Sequence, residues 1–226
     1  MLKSLLNILF PKVCSACNTN LSTGETTICI QCRHILPLVR HHKDNSALMK
    51  NMFYGRIDVQ LATALLKFEK KGITQELLHN LKYRNQEGIS SFFGKWLGAE
   101  LAEINSYQDI DVIIPVPLHK IKQRKRGYNQ VTGFGTEIAT ALKVPYLENV
   151  LLKTIHTDSQ VFKSRLKRIQ DDVIFKVENS ELITNKHVLL VDDIVTTGAT
   201  LENCATQLLN AANCKISFAT IAITTS

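Results

Sequence analysis

Two adjacent carboxylates and a run of hydroxyl side chains near the C-terminus are the residues best suited to chemistry. Residues 188–191 form an uninterrupted apolar run, which predicts a strand that is buried on both faces. Asp192 and Asp193 follow this run, and then come a Thr/Gly turn and a helical pattern from Leu201. A helix that begins just after a strand offers backbone N–H groups to an anion, and paired carboxylates can bind vicinal hydroxyls or a divalent ion. The segment therefore predicts a site for a ribose 5-phosphate.

The same segment resembles the phosphoribosyl pyrophosphate (PRPP) binding motif of type I phosphoribosyltransferases. That motif has an apolar strand, two acids, two apolar residues and then Thr-Thr-Gly-x-Thr. The alternative is an ordinary parallel strand that leads into a helix and happens to end in two acids, although such a pair is costly to bury without a partner. The resemblance implies that Asp192 and Asp193 are the catalytic acids that hold the ribose hydroxyls. It also implies that the 5-phosphate is bound by Thr196, Thr197, Gly198, Ala199 and Thr200.

A second candidate segment leaves a predicted strand through two prolines and enters a basic stretch at residues 120–126. Each proline fixes φ and lacks an N–H donor, so this exit is stiff. Because the basic stretch follows the end of a strand, we expect its cations to face the same crevice as the acidic pair and to neutralise a pyrophosphate leaving group. The alternative is a solvated basic loop. The predicted pyrophosphate-binding residues are Pro115, Val116, Pro117, Arg124 and Arg126.

Four of the six cysteines occur as two Cys-x-x-Cys pairs near the N-terminus, separated by eleven residues. Two such pairs can bring four thiolates around one tetrahedral Zn²⁺, and a metal would stabilise a segment too short to bury much core. Disulfides suit the chain less because no export signal is recognisable, and redox chemistry needs only one pair. The predicted structural zinc ligands are Cys14, Cys17, Cys29 and Cys32, and we interpret His34, His41 and His42 as solvated surface residues.

Composition narrows the class of protein. The chain has 226 residues, 45% hydrophobic and 21% charged, which is typical of a globular protein with one good core. The formal net charge of +7 suits a nucleic acid or a phosphate-rich small molecule, or no specific partner. No apolar run reaches the roughly 18 to 20 residues that span a bilayer. Residues 1–10 carry leucines at helical spacing without the apolar core of a signal peptide, so we expect a short packed helix and a cytoplasmic protein.

From Asp111 onward, short apolar runs alternate with helical patterns. This alternation predicts an α/β fold with a mostly parallel sheet, which binds its ligand at the carboxyl ends of the strands. Strands are predicted at 112–117, 150–155, 188–191 and 215–223, and helices at 73–83, 89–104, 130–142 and 199–211; residues 160–170 are predicted as a helix or a loop.

The order of the motifs resembles the ComF family of bacterial phosphoribosyltransferase-like proteins, some of which are linked to natural competence and DNA uptake. The resemblance rests on the paired cysteines, Pro-Val-Pro-Leu-His at 115–119, Arg-Gly-Tyr-Asn-Gln at 126–130 and the acidic motif, and it covers nearly the whole chain. Leu81 to Arg84 also resembles a basic element of that family, whereas Asp171 and Asp172 depart from its pattern. The resemblance implies a small zinc-ribbon-like module with four cysteine ligands at 1–45 and a type I phosphoribosyltransferase-like domain at 46–226, with a helical lead-in at 46–110 and an α/β core at 111–226.

By this resemblance, PRPP would bind together with Mg²⁺, and a nucleophile would displace pyrophosphate at the anomeric carbon. Position 196 is a threonine, so the phosphate turn lacks a carboxylate that would act as a general base. Three classes of function stay open: an active transferase, an inactive scaffold that senses PRPP or a nucleotide, and an accessory protein that binds single-stranded DNA or a DNA-uptake helicase. The first two predict that the acidic pair is essential, and only the first predicts pyrophosphate release.

Overall fold

The computed structural model describes residues 11–43, 47–154 and 174–224. The predicted helix at 1–10, the predicted helix or loop at 160–170, and Asp171 and Asp172 lie outside this part of the chain. The helices are α1 (Ile30–His34), α2 (Leu48–Asn51), α3 (Ile73–Tyr83), α4 (Gly88–Ala102), α5 (Lys120–Arg126), α6 (Thr132–Leu142) and α7 (Ala199–Ala211). The strands are β1 (Val59–Phe68), β2 (Val112–Pro115), β3 (Leu151–Lys153), β4 (Phe175–Val177), β5 (His187–Val195) and β6 (Lys215–Thr224).

Four strands form a parallel sheet in the order β1-β6-β5-β2. The central strands β5 and β6 are almost continuously buried, since helices cover both faces of the sheet. The predicted α/β fold with a mostly parallel sheet is therefore confirmed. In such a sheet, the carboxyl ends of neighbouring strands meet at one edge, which places the end of β5 beside the end of β2.

Three predicted elements need correction. The helical lead-in at 46–110 also contains β1, an edge strand of the central sheet, whose apolar positions show no clean period because most of both faces is buried. The strand predicted at 150–155 does not join that sheet, since β3 pairs with β4 as a separate antiparallel ribbon. β5 does not stop before the acidic pair but continues through it to Val195, because β6 still pairs with it there.

Helices α4 and α6 pack closely against each other on one face of the sheet. Gly94 makes this approach possible, because a Cβ atom at its position would lie 2.6 Å from the carbonyl oxygen of Phe134. A hydrogen bond from the backbone N–H of Phe134 to Ser90 Oγ, at 2.8 Å, joins the two helices at the same level. This packing fixes the start of α6, and with it the side chain of Gln130 two residues earlier.

The cysteine-rich segment shares the hydrophobic core of the rest of the chain. Buried Cys14, Ile28 and Leu36 belong to the same cluster as Leu77 and Phe93, which lie on α3 and α4. Residues 37–39 run beside β1, with the Val39 N–H donating to the Leu65 carbonyl at 3.0 Å. Metal binding in this segment would therefore stabilise packing that extends well beyond it.

Two of the three histidines that were expected at the surface are buried. His41 is 4% exposed and His42 is 9% exposed. The ring of His42 has partners on both nitrogens, with Nδ1 2.8 Å from Thr63 Oγ1 and Nε2 2.8 Å from Glu100 Oε2. This pairing explains why His42 tolerates burial. Within the described ranges, no helix is both long enough and apolar enough to cross a bilayer.

Candidate functional site

The acidic pair lies near the carboxyl end of β5, where a parallel sheet binds its ligands. Asp193 is 3% exposed, and both of its carboxylate oxygens have partners. Lys82 Nζ from α3 lies 2.9 Å from Oδ1, and Gln130 Nε2 donates to Oδ2 at 2.7 Å. Asp193 therefore joins three elements of the fold: β5, the end of α3 and the segment that leads into α6.

Asp192 has a different environment. It is partly exposed, and its Oδ1 accepts a hydrogen bond from the backbone N–H of Asp193 at 2.8 Å. Burial, followed by the negative charge of Asp193, raises the pKa of Asp192 to about 8, although Lys82 and Lys153 act against the shift. On α7, burial and then the charge of Asp192 raise the pKa of Cys204. Asp192 therefore lies on the α7 side of β5, with its side chain close to that of Cys204.

The turn at 196–200 forms the start of α7. Thr196, Thr197 and Thr200 are exposed, and Thr197 Oγ1 accepts a hydrogen bond from the Ala199 N–H at 3.4 Å. Gly198 caps the helix with φ at +82°. A Cβ atom there would lie 2.7 Å from the Phe53 ring, so only glycine fits both the backbone conformation and the space. Exposed hydroxyls at the N-terminus of a thirteen-residue helix make a suitable site for a phosphate.

The strand exit at 115–117 has the expected position beside the acidic pair. β2 ends at Pro115, and the Val116 N–H donates to the Val191 carbonyl at 2.9 Å, just before the two acids. The Val116 carbonyl accepts a hydrogen bond from Asn129 Nδ2 at 3.1 Å. Val116 is thus fixed on both sides, and Pro117 follows it as the chain turns toward α5.

The basic stretch at 120–126 forms helix α5 and not a loop, because the His119 side chain caps its first turn and Gly127 ends it in the left-handed conformation. Arg124 is exposed on this helix. Arg126 points toward the acidic pair: it donates to Gln130 Oε1 at 2.7 Å, and its guanidinium carbon lies 5.3 Å from the centre of the Tyr83 ring. Of the two predicted pyrophosphate-binding arginines, the structure links Arg126 to the acidic pair through Gln130.

Two residues with direct contacts to the site, Lys82 and Gln130, were not predicted as site residues. Both fall within motifs that resemble the ComF family, Leu81 to Arg84 and Arg126 to Gln130, and this was the only sequence signal for them. Their contacts with Asp193 depend on how α3 and α6 pack on the sheet. Sequence spacing carries no information about such long-range contacts.

The four paired cysteines come together as a candidate metal site. Their Sγ atoms all lie within 4.8 Å of one another, and those of Cys17 and Cys29 are 3.8 Å apart. Zinc–sulfur bonds of about 2.3 Å in a tetrahedron require sulfurs about 3.8 Å apart, so this donor set fits zinc. Backbone N–H groups support the sulfurs, with Cys29 N donating to Cys14 Sγ at 3.3 Å. Hydrogen bonds from Thr19 lower the pKa of Cys17 to about 6, which favours the thiolate that binds a metal.

Comparison with known proteins finds one matching domain and several similar proteins. Residues 130–225 match the phosphoribosyl transferase domain, which includes the acidic pair and the phosphate turn. Competence protein F of Haemophilus influenzae is 29% identical over 138 residues, which are 58% of this chain and 60% of that protein. Competence protein ComFC of Bacillus subtilis is 25% identical over 88% of this chain and 78% of that protein. DNA utilization protein YhgH of Escherichia coli K12 is 27% identical over 87% of this chain and 84% of that protein.

Solved structures show weaker likeness. The glutamine PRPP amidotransferase of Bacillus subtilis, complexed with ADP and GMP, superimposes with a TM-score of 0.42 and 21% identity, over 59% of this chain and 26% of that chain. The adenine phosphoribosyltransferase of Saccharomyces cerevisiae gives a TM-score of 0.35 and 18% identity, over 67% of this chain and 69% of that chain.

Proposed function

Because this chain is related to the ComF-type competence proteins and contains a phosphoribosyl transferase domain, we propose that it binds PRPP at the acidic pair of β5. The observation that carries the proposal is the arrangement at one edge of the sheet. There, two carboxylates lie between a hydroxyl-rich helix start and an arginine that is linked to them by Gln130. Cations and hydroxyls on either side of paired acids match a molecule that carries a phosphate on one side of a diol and a pyrophosphate on the other.

Each part of the site has a proposed role. The acidic pair, Asp192 and Asp193, forms the part of the site where the ribose lies, and residues 196–200 hold the 5-phosphate. Arg126 holds the pyrophosphate beside the strand exit at 115–117, and exposed Arg124 on α5 contributes to the positive potential there. Mg²⁺ would accompany PRPP, and when bound to it would neutralise charge on the pyrophosphate.

The proposal includes a structural zinc ion at the four cysteines. All four positions supply sulfur, so the coordination would be complete without a water molecule or a substrate, which indicates a structural and not a catalytic metal. The four cysteines are free thiols, and thiols stay reduced in the cytosol, which supports a cytoplasmic location.

Calorimetry with PRPP and Mg²⁺ tests the proposal. The wild-type protein should bind with measurable heat, whereas Asp192→Asn/Asp193→Asn should lose the signal because both carboxylates become neutral. Asp58→Asn is the matched control, since it neutralises an exposed aspartate outside the site. No measurable heat from the folded wild-type protein would contradict PRPP binding.

Transfer of the phosphoribosyl group to an acceptor is a further part of the proposal. It predicts that pyrophosphate accumulates when PRPP, Mg²⁺ and a suitable acceptor are present. The alternative, an inactive scaffold that senses PRPP or a nucleotide, is favoured by Thr196, which leaves the phosphate turn without a carboxylate base. PRPP binding without pyrophosphate release from any nucleobase or amine acceptor would support the sensor.

A role in competence or DNA use is supported by the names of the related proteins. The net charge of +7 is compatible with single-stranded DNA as a partner, and a DNA-uptake helicase is the other proposed partner. Binding to a labelled oligonucleotide that weakens steeply with salt would support the DNA partner. Unchanged binding in Asp192→Asn/Asp193→Asn would place that DNA outside the PRPP site.

A further inference from the structure

The two acids of the pair differ in the hydrogen-bond partners that their carboxylate oxygens already have. Asp193 is 3% exposed, and each of its oxygens already has a strong partner, an ammonium on one side and an amide on the other. Asp192 is partly exposed, and the hydrogen bond to its Oδ1 comes from the neighbouring backbone N–H. Within the described ranges no side chain is hydrogen-bonded to Asp192, so a ligand hydroxyl can bind it without displacing one, whereas Asp193 would have to release Lys82 or Gln130.

Gln130 is oriented by its neighbours. A carboxylate can only accept and a guanidinium can only donate, so Nε2 of Gln130 must face Asp193 while Oε1 faces Arg126. The amide thus connects the buried acid to the arginine that is proposed to hold pyrophosphate. Movement of Asp193 would be transmitted to Arg126 through one side chain.

Lys82, on α3, is the second side-chain partner of Asp193. Its side chain is 22% exposed, so its ammonium is partly desolvated next to an almost fully buried carboxylate. Removing one partner of such a pair is costly, because the other charge stays buried without compensation. Lys82 lies on the last turn of α3, which the Tyr128 hydroxyl also binds by donating to the Leu81 carbonyl.

We propose that Asp193 is a positioning residue held by Lys82 and Gln130, and that Asp192 is the acid of the pair that receives the ribose hydroxyls of PRPP. This division of roles rests on the proposed PRPP site. Adjacent residues of a strand direct their side chains to opposite faces, and here Asp193 faces α3 and α6 while Asp192 lies on the α7 side, where the phosphate turn begins.

The charge of Lys82 also acts on Asp192, so the division of roles has a consequence for the pH dependence of PRPP binding. Among the described residues, the charged groups that act on Asp192 are Asp193 on its own strand, Lys82 on α3 and Lys153 on β3, and Cys204 on α7 is its titratable neighbour. The Lys82 cation lowers the pKa of Asp192, so its removal should raise that pKa further. PRPP binding that requires an ionised Asp192 would then need a higher pH.

Calorimetry with PRPP and Mg²⁺ between pH 6 and pH 9 tests this division of roles. We expect Asp192→Asn to lose about a hundredfold in affinity, and Lys82→Met and Asp193→Asn to lose about tenfold each, in line with the loss of charged hydrogen bonds. In Lys82→Met, the pH at which PRPP affinity rises should be higher than in the wild-type protein. In Lys82→Arg, which keeps the positive charge, that pH should return to the wild-type value. Lys186→Met is the matched control, since Lys186 pairs with Asp111 at 3.6 Å before β5, at the opposite edge of the sheet.

Two outcomes would overturn the proposal. If Lys82→Met binds PRPP as tightly as the wild-type protein or more tightly, Lys82 does not position the site. If Asp193→Asn loses as much affinity as Asp192→Asn while Lys82→Met loses none, Asp193 meets the ligand directly.

A thermal unfolding cycle separates this inference from the proposed function. Absence of PRPP binding by the wild-type protein would count against the PRPP site alone. The contact between Lys82 and Asp193 is then measured without ligand: the destabilisation of Lys82→Met/Asp193→Asn should be smaller than the sum of the single variants. Additive losses would show that the two residues do not act together, which overturns the positioning role.

Discussion

Asn80 donates a hydrogen bond from Nδ2 to the backbone carbonyl of Ser15 at 2.8 Å, and both groups are buried. Ser15 lies between the first two cysteines, and Asn80 lies two residues before Lys82 on α3. This contact connects the candidate metal site to the helix that reaches Asp193. Shared packing of Cys14 and Leu77 in one core reinforces the connection.

Replacing Asn80 should therefore destabilise the protein. Asn80→Ala leaves the Ser15 carbonyl buried without a donor, for which we expect a loss of about 1–3 kcal/mol in the free energy of unfolding. Urea denaturation measures this loss. Asn213→Ala is the matched control, since it removes a hydrogen bond of the same length, 2.8 Å, from an exposed site. Equal, small losses in both variants would show that the hydrogen bond from Asn80 to Ser15 does not stabilise the protein.

Metal removal should destabilise the whole protein and not only the N-terminal segment, because residues 14–36 are packed into the common core. The purified protein should contain about one zinc per chain, and Cys17→Ser should lose it together with a large part of its thermal stability. Cys214→Ser, which changes a cysteine outside the cluster, should retain both. Zinc content is measured by elemental analysis and stability by the unfolding temperature. A protein that unfolds at the same temperature with and without zinc would contradict this prediction.

The sequence was most informative where the chemistry is local. The segment from β5 through the turn to α7 is continuous in the chain, so the alternation of an apolar run, acids, hydroxyls and a helical pattern predicts its structure directly. The same holds for the two Cys-x-x-Cys pairs, whose spacing predicts the four-sulfur cluster that the structure shows. These predictions need no knowledge of the rest of the fold.

Contacts between distant elements were missed for a physical reason. β1 belongs to the sheet because it pairs with β6 at the other end of the chain, and no local period reveals that pairing. Burial of His42 likewise depends on Thr63 and Glu100, which come from β1 and α4. The partners of Asp193 are set by the packing of α3 and α6, so the different environments of the two acids became visible only in the structure.

The raised pKa of Asp192 predicts how stability depends on pH. The folded-state pKa of about 8 lies above the ordinary value of 3.8, so the folded protein binds more protons than the unfolded chain between these values. The contribution of Asp192 to stability is therefore fully present below about pH 4 and is lost as pH rises to about 8. The asparagine in Asp192→Asn cannot ionise, so this variant should not lose stability at this position as pH rises.

Unfolding temperatures measured at several pH values between 6 and 9 check this expectation. The difference between Asp192→Asn and the wild-type protein isolates the one carboxyl, because all other titrating groups are common to both. The variant should gain stability relative to the wild-type protein as pH rises. A difference that stays constant across this range would contradict a raised pKa at Asp192.

Adding a single methyl group to the phosphate turn, at Gly198, should destabilise the protein and weaken PRPP binding. Gly198→Ala introduces a methyl group at φ +82°, 2.7 Å from the Phe53 ring, whereas Gly55→Ala introduces one at φ +73° with no atom within 4 Å. Both variants carry the cost of a left-handed residue, about 1–2 kcal/mol, and only Gly198→Ala adds a clash, worth about 1–3 kcal/mol more. Urea denaturation measures both losses, and calorimetry should show weaker PRPP binding for Gly198→Ala alone because the turn has to move. Equal losses of stability with unchanged PRPP affinity would show that Phe53 does not support the turn.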